Sequence, residues 1–219
     1  MMNKKGKKME EKKDITTLGN PRKPEGEYGV EMLKRMNDSH YELTGWALSY
    51  FDIEGKYRVL DIGCGGGITL RRMAEKVEGG HLTGVDYSDV SVSESKKLNE
   101  DLIAAGKMNI EHASVEDLPF DEGAFDKIIT VESFYFWPTP QESLKEVFRV
   151  LSTGGSFMLV AEVYDKEGMS EKHREEVARY EMTNPSIDGF KEFFANAGFK
   201  DVEIHLKDGT DWICVIGHK

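Results

Sequence analysis

The sequence predicts an α/β fold, with a mostly parallel sheet covered by helices on both faces. Strand-like and helix-like hydrophobic patterns alternate from Arg58 onward. The apolar run in VLDIGCGGGITL, residues 59–70, leads into a glycine-rich turn and then a helical pattern. The last two strand patterns are joined by Asp208-Gly209, which is typical of an antiparallel hairpin. Because strand–helix–strand units cross over in a right-handed sense, the earlier strands should run parallel.

Length and charge exclude several classes of protein. The 219 residues, 39% of them apolar, suffice for one domain with a substantial core. The net charge is −11; six lysines against two glutamates give residues 1–13 a charge of +4, so the remainder carries −15. Affinity for nucleic acids comes from clusters of Lys and Arg, so we expect no nucleic-acid partner. No apolar run approaches the roughly 18 residues of a membrane span, and we expect none.

The cysteines and histidines indicate the compartment and argue against a metal. Cys64 and Cys214 are too few for a disulfide framework, and the N-terminus lacks the apolar stretch of an export signal. We therefore predict a cytoplasmic location. The six histidines are scattered, and none forms a cluster with metal-ligand spacing, so we predict no metal site.

The N-terminal quarter of the chain divides into two parts. Residues 1–18 begin with MMNKKGKKMEEKK and are interpreted as a disordered basic arm. Residues 19–55 are interpreted as a loop and helices that cap the site. Their Gly- and Pro-rich start, within residues 16–29, favours an extended loop. The spacing of Ser39 and Glu42 predicts a capping box that opens a helix.

Residues 56–219 form the main predicted domain, with seven strands. Their patterns are, in order, YRVLDIG, HLTGVDY, MNIEHAS, FDKIITVES, GSFMLVAEV, DVEIHLK and DWICVIGHK. Helical patterns follow the first, second, fourth and fifth strands, whereas the fourth strand follows the third without a helix. One of them runs unbroken from Ser88 to Ala105, and another begins with a capping box at Thr139 and Glu142, with Pro140 in the first helical position. A short helix is expected within residues 164–185. Ligands of such sheets bind at the carboxyl ends of the strands.

The glycine turn at the end of the first strand does not suit a dinucleotide. The dinucleotide fingerprint needs a third glycine where this chain has Ile68, and the Gly-Lys-Ser/Thr of a phosphate loop is missing. Asp61 is the decisive residue, because two negative charges about 4 Å apart cost roughly 4 kcal/mol at an effective dielectric constant of about 20. A cationic amino group would instead be attracted to Asp61.

The second strand places a further constraint on the ligand. Asp86 ends that strand and is placed to accept hydrogen bonds from two ribose hydroxyls. An adenosine that carries an amino acid satisfies both carboxylates. The sequence therefore predicts S-adenosylmethionine (SAM), whose sulfonium adds a further positive charge.

Four segments then resemble the motifs of class I SAM-dependent methyltransferases. VLDIGCGGG is similar to motif I, TGVDYSDVSV to the acidic motif after it, ASVEDLPFDEGAFDKIIT to the segment that precedes and enters strand four, and EVFRVLSTGGSFML to the segment that enters strand five. The resemblance spans about residues 56–162 and is closest to the small-molecule methyltransferases grouped with ubiquinone and menaquinone biosynthesis enzymes. Ser114 stands where an aspartate often contacts the adenine, and Thr153 replaces a usual proline.

The resemblance implies a fold, a reaction and a set of site residues. The fold is a Rossmann-like seven-stranded sheet in the order 3-2-1-4-5-7-6, with strand seven antiparallel. The reaction is methyl transfer from SAM to a small molecule, with S-adenosylhomocysteine (SAH) as product. The expected cofactor-binding residues are Asp61, Gly63, Cys64, Gly65, Gly67, Asp86, Tyr87, Ser88, Ser114, Val115, Glu116, Val131, Glu132 and Ser133.

Acceptor binding is expected around residues 132–138, which follow strand four and border the methyl group in this family. This chain lacks the D/N-P-P-Y motif of enzymes that methylate adenine or amide nitrogen, and has aromatic residues there instead. The candidate acceptor residues are Tyr28, His40, Tyr135 and Trp137. No catalytic base, acceptor atom or oligomeric state can be assigned from the sequence. A non-catalytic SAM-binding module and an NAD(P)-binding oxidoreductase remain the alternatives.

Overall fold

A computed structural model describes residues 15–53 and 55–219. Seven strands form one sheet in the order β3-β2-β1-β4-β5-β7-β6, which confirms the predicted order. The strands are β1 (Arg58–Ile62), β2 (His81–Asp86), β3 (Met108–His112), β4 (Phe125–Val131), β5 (Leu151–Ala161), β6 (Lys200–Leu206) and β7 (Ile213–His218).

The strand directions also agree with the prediction. β1 lies between β2 and β4 and is parallel to both, with Leu60 opposite Thr83 on one side and Ile128 on the other. β7 is antiparallel to β5 and β6, so Val215 pairs with Leu159 and Ile204. The carboxyl ends of β1, β2 and β4 therefore meet at one edge of the sheet.

Helices cover both faces of this sheet. They are α1 (Ile15–Gly19), α2 (Gly26–Ser39), α3 (Tyr41–Leu48), α4 (Ile68–Met73), α5 (Asp89–Leu98), α6 (Glu100–Ala104), α7 (Pro140–Val150), α8 (Glu171–Arg179) and α9 (Ile187–Ala197), with a 3-10 turn at Phe134–Phe136. In the described part of the chain, no helix has the length and apolar character needed to cross a membrane.

The core consists of two hydrophobic clusters, one on each face of the sheet. Neighbouring strand residues alternate between them: Val59 belongs to one cluster and Leu60 to the other, and Ile129 and Ile128 divide in the same way. Side chains in a strand point to opposite faces in turn, so a continuous apolar run fills both clusters. Burial of each such side chain contributes about 1.5–3 kcal/mol.

The N-terminal region is more helical than the sequence indicated. Of the predicted arm, residues 1–14 lie outside the described residues, whereas residues 15–18 belong to α1. The predicted extended loop over residues 16–29 contains α1 and the start of α2. Local Gly and Pro content favours a loop, but tertiary packing overrides it, since Met32 and Leu33 of α2 are buried.

Three predicted local details are wrong. Ser39 does not cap a helix, because α2 continues through it and its hydroxyl donates to the carbonyl of Met36 at 3.3 Å. Thr139 precedes α7 as predicted, but its hydroxyl donates to Glu116 at 3.0 Å instead of taking part in a capping box. The helix predicted over residues 88–105 is interrupted at Asn99.

The interruption at Asn99 has a clear cause. The fully buried Asn99 amide donates to the carbonyls of Ser95, at 3.0 Å, and Gly67, at 3.1 Å. The second of these bonds joins the end of α5 to the glycine turn. The break in the helix therefore helps to hold the turn that follows β1.

Candidate functional site

The turn between β1 and α4 requires glycine at two positions. Gly63 has a φ of 73°, and a Cβ added there would lie 2.2 Å from the Ser133 hydroxyl oxygen. Gly67 has a φ of 82°, and its Cβ would lie 2.3 Å from the Ser95 hydroxyl oxygen. An L side chain would be strained by the backbone angle and blocked by these neighbours. The glycines thus let the chain pass close to β4 and α5 and keep the cavity mouth open.

The Asp86 carboxylate fixes this turn to the end of β2. The Gly65 backbone N–H donates to one of its oxygens at 3.0 Å, and the Ser88 backbone N–H donates to the other at 2.9 Å. Ser88, and not Asp86, caps α5, since its hydroxyl accepts from the Ser91 N–H at 3.2 Å. Burial raises the pKa of Asp86, while the two backbone donors oppose that rise.

Asp61 is the most unusual group at this edge of the sheet. Its side chain is only 1% exposed, and its Oδ2 has no hydrogen-bond partner among the described residues. Burial, reinforced by the charge of Asp86, raises the pKa of Asp61 to about 8. A buried carboxylate without a partner is costly, and a cationic ligand would relieve that cost.

A cavity of about 380 Å³ lies over these carboxylates, a size typical of small-molecule sites. Twelve of the fourteen expected cofactor residues line it: Asp61, Gly63, Cys64, Gly65, Asp86, Tyr87, Ser114, Val115, Glu116, Val131, Glu132 and Ser133. Gly67 and Ser88 do not line it and instead shape the turn and cap α5. Of the expected acceptor residues, His40 and Trp137 line this cavity, whereas Tyr28 lines neither it nor the neighbouring one.

Six residues of the N-terminal region, which the sequence did not single out individually, form a wall of the larger cavity. This wall consists of Pro21, Arg22, Pro24, Leu33, Met36 and Asn37. It is anchored to the end of β2, because the Tyr87 hydroxyl donates to the Arg22 carbonyl and the Ser88 hydroxyl donates to the Pro24 carbonyl at 2.6 Å. The sequence did contain one indication of this wall. Asn37 and His40 are one helical turn apart, a spacing that places two side chains on the same face of a helix.

A second buried carboxylate, Glu132, lies directly after β4. It is 9% exposed and has a φ of 55°, which is uncommon for a residue with a side chain. The Tyr135 hydroxyl donates to its Oε2 at 2.7 Å, and the Glu162 backbone N–H donates to its Oε1. Burial raises the pKa of Glu132 to about 7, although both hydrogen bonds favour the ionised form. A carboxyl group tuned in this way can accept a proton near neutral pH.

His40 and Glu162 complete a cluster around Glu132. The His40 Nε2 lies 3.8 Å from the Glu132 Oε2, and burial lowers the pKa of His40. One ligand atom from each of the three residues lies within 4.8 Å of the others. Because these residues are far apart in the chain, a search for close ligand spacing could not find them. The expectation that the protein needs no metal stays a prediction.

The cluster lies between the main cavity and a smaller one of about 170 Å³. Five residues line both cavities: Pro21, Met36, His40, Glu132 and Phe136. Tyr135, an expected acceptor residue, lines only the smaller cavity, together with Glu162, His173 and Glu176. The two cavities therefore meet at the carboxyl end of β4.

Comparison with known proteins agrees with this geometry. Residues 60–159 match the family described as Methyltransferase domain. The chain is similar to the chloroplastic 2-methyl-6-phytyl-1,4-hydroquinone methyltransferase 2 of Oryza sativa subsp. japonica, with 31% identity over 72% of this chain and 42% of that protein. The corresponding Arabidopsis thaliana enzyme is 32% identical over 71% of this chain and 43% of its own length. The chain thus spans less than half the length of these curated relatives.

The fold is also found among solved structures. A SAM-dependent methyltransferase from Aquifex aeolicus has a TM-score of 0.68 at 16% sequence identity, covering 86% of this chain and 97% of that one. The domain match, the relatives and the order of the seven strands agree with one another. Residues 60–159 therefore form a methyltransferase domain with the fold of the class I SAM-dependent enzymes, and the cofactor of this domain is SAM.

Proposed function

We propose that this chain transfers a methyl group from SAM to a small-molecule acceptor and releases SAH. The observation that carries the proposal is the buried, unpartnered oxygen of Asp61 beside Asp86, at the floor of a cavity of about 380 Å³. When bound, SAM supplies a methyl group already activated by its sulfonium. The residues of the chain then have to bind, align and shield the reactants.

Each end of the cofactor has a proposed partner. Asp61 binds the ammonium group, and the glycine turn lets the backbone approach the amino-acid end. Asp86 keeps lone pairs for the ribose hydroxyls, although backbone N–H groups already bind both of its oxygens. Ser114, Val115 and Glu116 lie along the adenine, and Ser114 is positioned by the Glu116 N–H, which donates to its hydroxyl at 3.3 Å.

Residues 19–55 are proposed as the cover of the site. Their anchors at Tyr87 and Ser88 hold residues 21–24 over the end of β2, while Met36, Asn37 and His40 reach the cavity from above. The Arg22 guanidinium also donates to the Tyr180 carbonyl at 3.0 Å, which ties this cover to the region after α8. A cover of this kind keeps water from the transferring methyl group.

A small acceptor is favoured over a macromolecule. The cavity is of small-molecule size, and outside residues 1–13 the chain carries a charge of −15, which repels nucleic acid. The named relatives act on a hydroquinone, so a ring of that kind is one acceptor to include in a screen. We also propose a cytoplasmic location, which the two free, buried cysteines support.

Two measurements on the purified protein test the proposal. Calorimetry should show binding of SAM and SAH and none of NAD, since Asp61 repels a pyrophosphate. Radiolabelled methyl groups from SAM should appear in a small-molecule metabolite fraction and not in nucleic acid. Binding of NAD without binding of SAM would overturn the cofactor assignment. Binding of SAM with no transfer to any fraction would favour a non-catalytic SAM-binding module.

A further inference from the structure

We infer that the smaller cavity is the acceptor chamber, and that the acceptor carries an amine whose ammonium form is held by His40, Glu132 and Glu162. The inference rests on the proposed methyl-transfer function and deepens it by naming the acceptor's chemical class. Four observations support it: the position of the cavity, its charge, the spacing of the three polar groups, and the chemistry that Glu132 can perform.

The position of the smaller cavity suits an acceptor. It shares a wall with the cofactor cavity, and Glu132, in that wall, borders both spaces. The glycine turn, Asp86 and residues 113–116 occupy the β1, β2 and β3 side of the large cavity. A second reactant therefore approaches from the β4 side, where the smaller cavity opens.

The charge of the chamber favours a cation. Three carboxylates line it, from Glu132, Glu162 and Glu176. Glu176 is paired with Lys172 at 3.7 Å, but within the described ranges no Lys or Arg nitrogen lies within 4 Å of the Glu132 or Glu162 carboxylate. The lining guanidinium, that of Arg35, is hydrogen-bonded to the Thr16 hydroxyl. The chamber thus holds more negative than positive charge next to the transfer point.

The aromatic lining points to an organic cation. Tyr135, Phe136 and Tyr180 line the same cavity, and the guanidinium groups of Arg22 and Arg179 already lie over the Phe136 and Tyr180 rings, 5.7 and 5.4 Å from the ring centres. Aromatic faces attract ammonium groups and also bury hydrocarbon. An alkylamine or arylalkylamine would use both the carboxylates and the rings, whereas an inorganic ion would leave the rings unused.

The spacing of the three polar groups is compatible with an ammonium ion. Three acceptors, each about 2.8 Å from a tetrahedral nitrogen, are roughly 4.6 Å apart. Three ligands, each about 2.1 Å from a zinc ion, are roughly 3.4 Å apart. The His40 Nε2 and Glu132 Oε2 are 3.8 Å apart, and all three groups lie within 4.8 Å of one another. The 3.8 Å separation lies between these two values, so an ammonium group can be held here after a small adjustment, and a binding test with a metal ion alone distinguishes the two occupants.

The same residues account for the proton that must leave before methylation. An ammonium nitrogen has no lone pair, so the acceptor first gives one proton to the Glu132 carboxylate. The free amine nitrogen then forms a bond to the methyl carbon while the methyl–sulfur bond breaks, and both electrons of that bond remain on sulfur. The products are an N-methylammonium ion, SAH and protonated Glu132. The Tyr135 hydroxyl, at 2.7 Å, positions the Glu132 carboxylate for this step.

The test measures binding of matched probes to the full chain saturated with SAH. The probes are 2-phenylethylamine, 2-phenylethanol and phenylacetate, and, in a second set, hexylamine, 1-hexanol and hexanoate. A charged hydrogen bond contributes about 1.5–3 kcal/mol, so each amine should bind at least about tenfold more tightly than its neutral and anionic counterparts. Labelled SAM should methylate the amines alone.

Two variants test whether the preference for amines depends on the Glu162 carboxylate. Glu162→Gln should weaken amine binding about tenfold and leave binding of SAH and of the alcohols within twofold. The control is Glu175→Gln, on the exposed side of α8 and outside both cavities, which should change none of these affinities. Glu162 is exposed, so its replacement should not impair folding.

Three results would overturn the inference. The first is equal binding of an alcohol or a carboxylate and its amine counterpart. The second is the failure of every amine to bind more tightly than about 10 mM. The third is stoichiometric binding of Zn²⁺ or Mn²⁺ alone that is lost in Glu162→Gln, without any preference for amines. In each case intact SAH binding would show that the proposed function survives, whereas loss of SAH binding would remove both.

Discussion

Asp61 and Glu132 are buried carboxylates at the carboxyl ends of the neighbouring strands β1 and β4, and burial raises the pKa of both, to about 8 and about 7. Their surroundings differ. Asp61 has an oxygen with no partner, whereas Glu132 accepts from Tyr135 and Glu162 and faces His40. The cofactor end therefore leaves a buried oxygen without a partner, which a cationic ligand can bind. The acceptor end is held in place by the protein and can take up a proton.

The largest expected effect is that of replacing Glu132, the carboxylate at the acceptor end. Glu132→Gln keeps the shape of the side chain and removes its ability to accept a proton. General base catalysis typically contributes about 10²–10⁴-fold, so we expect kcat for an amine acceptor to fall at least about 100-fold. Binding of SAM should stay within a few-fold. The measurement is single-turnover transfer of labelled methyl groups.

The matched control for this variant is Tyr135→Phe. It removes only the hydroxyl that positions Glu132, so its loss of kcat should be smaller than that of Glu132→Gln. Unchanged kcat in Glu132→Gln would show that Glu132 is a structural carboxylate and that another group accepts the proton.

A second expected effect concerns the contact between the cofactor end and the acceptor end of the site, where Gly63 lies against Ser133. Gly63→Ala places a methyl group against Ser133, besides forcing alanine to a φ of 73°. We expect a loss of about 2–3 kcal/mol in the free energy of unfolding, measured with urea. Gly209→Ala is the control, since Gly209 has a φ of 74° with nothing within 4 Å of its added Cβ. Backbone strain alone should cost that variant about 1 kcal/mol. Equal losses of unfolding free energy in the two variants would mean that the turn can move away from Ser133 without cost.

A third, smaller effect is expected at the ribose position. Asp86→Ala removes a charged acceptor, and loss of one such bond corresponds to at least about tenfold weaker SAM binding. The same change leaves the Gly65 and Ser88 N–H groups without their acceptor, so the stability of the domain should fall as well. Calorimetry and urea unfolding together separate these contributions. An unchanged affinity would show that Asp86 only anchors the turn.

A further expected effect is the pH dependence of the ligand-free protein. The pKa values of Asp61 and Glu132 are raised in the folded state from 3.8 and 4.5, so their contribution to stability is complete at low pH and is lost as pH rises through about 7 and about 8. We expect the free energy of unfolding to fall by several kcal/mol between pH 5 and pH 9, since each group contributes ~1.4 kcal/mol per pH unit up to its folded-state pKa. Asp61→Asn should remove the part of this fall that continues above about pH 7, and Glu132→Gln should make the fall below pH 7 less steep. A flat profile in the unaltered protein would contradict the raised pKa values.

The two ends also differ in how well the sequence predicted them. The order of the seven strands followed from contiguous motifs, because a strand, a turn and a helix start are local in the chain. The same motifs supplied the twelve expected residues that line the larger cavity. The cluster of His40, Glu132 and Glu162 joins the end of α2, the end of β4 and the end of β5. No local pattern in the sequence indicates that these three residues lie close together, so the proton-accepting geometry of Glu132 could not be predicted.

The N-terminal cover illustrates the same limit of local patterns. Its Gly and Pro residues predicted a loop over residues 16–29, which holds for residues 20–25, while the structure places α1 and the first turn of α2 on either side. Packing of Met32 and Leu33 holds α2 against the protein and outweighs local preference at its start. Tyr28 was expected at the acceptor and lies away from both cavities, whereas Asn37, three residues from His40, reaches the cofactor cavity. The direction of each side chain on that helix depends on where the helix packs.

The central claim, that Asp61 selects the cofactor by its ammonium group, is tested most directly by a binding cycle with two ligands. SAM carries the amino-acid end, and 5′-methylthioadenosine has the same nucleoside without it. We expect Asp61→Asn to weaken SAM binding at least about tenfold and to change 5′-methylthioadenosine binding by less than about threefold. Equal changes for the two ligands, or none for SAM, would show that Asp61 does not bind the ammonium group and would contradict the account.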